Sequence, residues 1–168
     1  MGEQTLMTIV AVGPVAVTTN YWEEYQADGT EEIGCRVQLR RLREVPSAIE
    51  PPQPRRDATY WSVEEPIWRA DLFTTVGSAT PLDASHYHPT FTGVQPCERV
   101  LDETMFPDPY AWIERRLADI PGMLQEAGYR DMADALDGET VRQAMPAILA
   151  NIRATLAYRP TDRANVPA

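Results

Sequence analysis

His86 and His88 are the only two histidines of the chain, and Cys97, one of its two cysteines, follows shortly after them. On an extended segment, side chains at i and i+2 project from the same face, so both imidazoles can reach one ion. Cys97 lies across a turn expected near Gly93 and would add a thiolate, with Asp83 or Glu98 as a fourth ligand. Such donors suit zinc or a similar divalent metal better than calcium or magnesium. The same residues also permit metal-free chemistry, in which one histidine moves a proton or pairs with the thiol. A plainer reading competes with both. The two imidazoles would end a strand and cover apolar surface beside Tyr87 and Phe91, and Cys97 would be a core thiol.

Arg69 and Asp71 form a second constellation. They alternate with Trp68, Ala70 and Leu72, so they share a strand face with Ile67 and Phe73. Burial of that face would require them to be paired. The pair is either structural or an arginine oriented by a carboxylate to hold an anionic ligand. Arg99 is a candidate to converge there. Asp102, Glu103 and Asp108 are a third group of carboxylates, with Asp108 placed to cap a helix. The aromatic residues divide into expected core, Trp61 and Trp68, and a candidate surface of Tyr21, Trp22 and Tyr25.

Composition removes other chemistries. All 15 basic residues are arginine. With no lysine there is no Schiff-base nucleophile and no phosphate-loop lysine. Four serines occur without a Gly-x-Ser-x-Gly elbow, and no dinucleotide-binding glycine fingerprint is present. A net charge of −10, spread over both halves, argues against nucleic acid and suits solubility or a basic partner; the expected partner is a small molecule or a protein. Two cysteines, no signal-peptide pattern and no long apolar run predict a cytoplasmic protein outside the membrane.

The elements that must position these residues are strands first and helices afterwards. Leu6–Val12 and Val15–Gln26 read as strands separated by Gly13-Pro14. Asp28-Gly29 predicts a hairpin turn into Glu31–Arg43. In that return strand Ile33, Cys35, Val37 and Leu39 share a buried face, and Leu42 falls out of phase, which predicts a bulge near Arg40-Arg41. The proline-rich stretch Val45–Asp57 predicts a surface loop. Tyr60–Val63 and Ile67–Val76 read as two strands turned at Glu64-Glu65-Pro66, and Arg99–Thr104 as a last edge strand. From Asp108 the apolar period becomes helical. Asp108-Pro109 and Asp119-Ile120-Pro121 each start a helix, Gly128 ends the second, and Glu139–Tyr158 is an amphipathic helix expected to kink or break at Pro146.

The combination Trp68-Arg69-Ala70-Asp71-Leu72-Phe73, His86-Tyr87-His88-Pro89, Pro96-Cys97-Glu98-Arg99 and Asp108-Pro109 with Trp112 resembles a family of small uncharacterised bacterial α+β proteins. The resemblance covers roughly residues 60–118 and implies no activity. The expected fold is α+β in one domain over 1–168: an antiparallel, curled sheet over 4–104, helices over 108–158 packed against it, and a loose tail over 159–168. The expected function is a small-ligand or metal-binding domain, with enzymatic use open. Its metal ligands would be His86, His88 and Cys97, and its catalytic candidates His86, His88, Arg69 and Asp71. The alternative is a non-enzymatic acidic interaction protein that self-associates into a homo-oligomer through the Val141–Leu156 helix face.

Overall fold

The computed structural model describes residues 6–25, 27–45, 59–75 and 85–160. The candidate ligand Asp83, most of the proline-rich stretch and the final residues lie outside them. The chain is α+β, with a five-stranded antiparallel sheet followed by helices. Its strands are β1 (Met7–Val12), β2 (Val15–Tyr25), β3 (Glu31–Val45), β4 (Tyr60–Thr75) and β5 (His86–His88), paired in chain order in a sheet that does not close. Two further short strands, β6 (Phe91–Thr92) and β7 (Gln95–Pro96), form a separate hairpin. The helices are α1 (Pro109–Leu117), α2 (Ile120–Glu126), α3 (Arg130–Asp134) and α4 (Gly138–Ala157).

Local sequence explains the meander. Gly13 opens the two-residue β1–β2 loop at φ +57°, and Gly29 turns β2 into β3 at φ +83°, both backbone states that favour glycine. The phase slip at Leu42 appears as register shifts between Leu39 and Arg40 and between Arg40 and Leu42. Those shifts correct the expected turn at Glu64-Glu65-Pro66. Tyr60 to Thr75 is one strand that bulges around Pro66. Proline is tolerated there because its missing N–H falls at the bulge and β5 pairs only with Arg69–Asp71, leaving the other side of this stretch without a strand among the described residues. Trp61 is 54% exposed rather than in the core.

Alternation gives the sheet two different faces. Val10, Val12, Val15, Val17, Val37, Leu39, Trp68 and Leu72 pack toward the helices against Ile113, Leu117, Leu124, Ile148 and Ile152. The other face carries Asn20, Arg36, Gln38, Arg69, Asp71, His86 and His88, which lie one residue out of phase. The helices start as their sequences dictate: Asp108 accepts from Ala111 N–H, Asp119 from Gly122 N–H and Asp137 from Thr140 N–H. Gly128, at φ +88°, ends α2, with Tyr129 N–H bonded back to Leu124 O at 2.8 Å.

Two expectations about the second half are corrected. Arg99–Thr104 is not an edge strand. Only Val100 bridges to Tyr87, and Glu103–Met105 is a 3-10 turn capped by Asp102, whose carboxylate accepts from Thr104 N–H and from Trp112 Nε1–H. Of the kink or break expected at Pro146, the break does not occur: α4 continues from Gly138 to Ala157 with Pro146 inside it. Its apolar stripe, with Val141, Ile148 and Ile152 buried, lies on β1–β3. Met145 and Leu156 of the same stripe are only partly buried. Among the described residues, no helix is long and apolar enough to cross a membrane.

Candidate functional site

Tyr87 decides which way the histidines point. Its ring enters the helix side of the sheet, 6.0 Å from Trp68 and 5.3 Å from Trp112, centroid to centroid. Strand alternation then sends His86 and His88 to the opposite face. Their rings meet edge to face with centroids 5.1 Å apart, and both residues are buried.

Register supplies the rest of the cluster. Arg36 of β3 stands opposite Asp71 of β4, which stands opposite His86 of β5; Gln38, Arg69 and His88 form the next rung. Asp71 is the hub, only 1% exposed. Its Oδ1 accepts from Arg36 Nε at 2.9 Å, and its Oδ2 accepts from Arg69 Nε at 2.7 Å and faces His86 Nε2 at 3.3 Å. Burial alone would raise the Asp71 carboxyl. The His86 hydrogen bond and the Arg36 and Arg69 guanidiniums reverse this and hold it well below the usual carboxylate range.

Partners also fix the protons on the rings. His88 Nδ1 lies 3.2 Å from the Cys97 carbonyl, which can only accept, so Nδ1 carries the hydrogen and Nε2 keeps its lone pair. Burial pushes His88 below its ordinary value; the Cys97 carbonyl opposes this, while the charge of Arg69 and the neighbouring His86 add to it. The carboxylate of Asp71 likewise can only accept, which assigns a hydrogen to His86 Nε2.

The structure therefore brings together four candidates from the sequence, Arg69, Asp71, His86 and His88, and adds Arg36. It does not bring in the Cys97 thiol. The β6–β7 hairpin, turned at Gly93 with φ +62°, presents the Cys97 carbonyl to His88, while the side chain is exposed and its Sγ lies 3.3 Å from Thr92 Oγ1. Glu98 and Arg99 are exposed as well. In the metal reading Asp71 replaces Cys97: one ligand atom each from Asp71, His86 and His88 lies within 4.8 Å of the others. Arg36 was on the correct face in the sequence, but nothing in the sequence specified that it would stand opposite Asp71.

The cluster's charge is as informative as its geometry. Among the described residues, two guanidiniums face one carboxylate, which leaves a positive excess of permanent charge there. An additional anion finds donors on Arg36 and Arg69, whose side chains remain 32% and 17% exposed. A dication in the same place would sit beside both arginines. On the far side of β5 a more open cleft of about 240 Å³ contains Tyr87, Trp112, Arg116 and Asp102. Of its charges, Asp102 is engaged with Trp112 and Arg116 with Glu126, while Arg115 also lines it.

No protein-family model, curated protein or solved structure matches this chain, so the functional reading rests on this geometry.

Proposed function

We propose that the chain binds a small anionic ligand on the open face of its sheet, with His86 and His88 as the proton-handling pair beside it. The observation that carries this reading is the complete engagement of buried Asp71 by Arg36, Arg69 and His86. The carboxylate aligns two guanidiniums and one imidazole, and it holds them in place before a ligand arrives. His88 Nε2, an unprotonated nitrogen at neutral pH, is suited to accept a proton from the ligand or to receive a hydrogen bond from it. Calorimetric titration with inorganic phosphate and with acetate tests the proposal. Saturable binding that disappears in Arg69→Met supports it; absence of binding of either anion overturns it.

The spacing of Asp71, His86 and His88 supports a second reading, a divalent zinc-like site with two imidazoles and a carboxylate. It requires Asp71 to exchange its contact with His86 for a shared metal while keeping both arginines. Stoichiometric zinc retained through dialysis by the wild type and lost in His86→Ala/His88→Ala is the result that would favour it over the anion site.

A further inference from the structure

Aromatic rings continue along the open face from the charged cluster. Trp22 of β2 meets Phe73 of β4 edge to face at a centroid distance of 4.9 Å, and Phe73 lies 5.9 Å from His86. The row follows from register, because Trp22, Gly34 and Phe73 stand opposite one another one rung from Asn20, Arg36, Asp71 and His86. Gly34 makes room for it. A Cβ there would stand 2.9 Å from Trp22 Nε1 and run into the Leu72 carbonyl, so the indole fills space that a side chain on β3 would occupy. A register shift between Ile33 and Gly34 sits at this rung, the kind of irregularity that re-aims side chains beside sites. Trp22 Nε1 is buried without a hydrogen-bond partner among the described residues, although Trp22 and Phe73 remain only half-buried. The apolar core is on the other face, so these two rings are not needed to close it.

We propose that the anion bound at Arg36 and Arg69 carries an aromatic or heteroaromatic ring, which packs against Trp22 and Phe73. This rests on the anion-site reading and narrows its ligand to aryl or heteroaryl phosphates and carboxylates. The guanidiniums hold the anionic group, and the exposed parts of the two rings give the aromatic part an edge-to-face or offset contact.

The test uses the full chain and five probes: inorganic phosphate, phenyl phosphate, acetate, benzoate and cyclohexanecarboxylate. The expected result is that benzoate binds about tenfold more tightly than cyclohexanecarboxylate, a margin of the size aromatic pairs provide. Phenyl phosphate should exceed inorganic phosphate by a similar factor, and the stronger of the two aromatic probes identifies the anionic group. Trp22→Leu should abolish the aromatic preference and leave inorganic phosphate binding unchanged, whereas Trp22→Phe should retain the preference. Equal binding of benzoate and cyclohexanecarboxylate by the wild type, with inorganic phosphate still bound, overturns the inference and leaves the anion site standing. Failure of every probe overturns the anion site itself. The benzoate comparison is made on the wild type, so it decides the matter even if Trp22→Leu does not fold.

Discussion

Arg36 and Asp71 face each other across the β3–β4 ladder, and Arg36 Nε donates to Asp71 Oδ1 at 2.9 Å from a strand that carries the core on its other side. The pair joins the fold to the site, since the rungs that place Val37 and Ala70 in the core place these two charges on the open face. Removing Asp71 leaves two guanidiniums without their shared counter-charge. Asp71→Asn is expected to destabilise the protein by about 3–5 kcal/mol, the cost of breaking a buried pair. Arg36→Met should cost less, because Arg69 still engages the carboxylate. Urea denaturation of the two variants measures the difference; equal and small losses would show that Asp71 is not the hub.

His88 gives the structure a pH dependence. Its folded value lies below the ordinary 6.5, so the unfolded chain takes up the proton first. Its contribution to stability is complete above about pH 6.5 and is lost as pH falls from there through the folded value. Asp71, held well below its ordinary 3.8, contributes in full above about pH 4 and matters only at lower pH. Stability followed by denaturation between pH 7.5 and 4.5 should therefore decline in the wild type and decline less in His88→Gln. Identical slopes for the two proteins would contradict the buried, carbonyl-bonded imidazole.

The two cysteines should react very differently. Cys35 is fully buried, and burial with nearby Asp71 pushes its thiol up to about 12. Cys97 is exposed, and hydrogen bonds from Thr92 and Thr90 lower its pKa. Brief iodoacetamide treatment of the native protein, read by mass spectrometry, should label Cys97 alone, and Cys35 only after denaturation. Labelling of Cys35 in the native protein would contradict its placement under α4.

Much of this architecture was legible in the sequence because period and turn chemistry report on local structure. Cys35 among Ile33, Val37 and Leu39 marked the buried face of β3, Leu42 out of phase marked the bulge, and Asp108-Pro109 marked the start of α1. The errors arose where tertiary context overrode a local signal. Pro66 looked like a turn until its position at a bulge gave its missing N–H a harmless place. Trp61, expected in the core from its residue type, lies near the end of β4 and is exposed. The site was legible only in part. Arg69, Asp71, His86 and His88 were identifiable by type and alternation, but Arg36, Trp22 and Phe73 joined them through cross-strand register, which depends on bulges that single-strand patterns do not count. Cys97 was drawn in by its spacing, and it is the backbone carbonyl, invisible to a reading of side chains, that reaches His88.

An anion site and a metal site at this cluster predict different behaviour of its two imidazoles. Side-chain 1H–15N NMR of His86 and His88 reads both imidazoles directly. Addition of inorganic phosphate should shift their nitrogen resonances along a saturable curve that is absent in Arg69→Met, with His88 keeping its hydrogen on Nδ1 before the ligand is added. Imidazole resonances that ignore phosphate and acetate yet move with one equivalent of zinc would contradict the account.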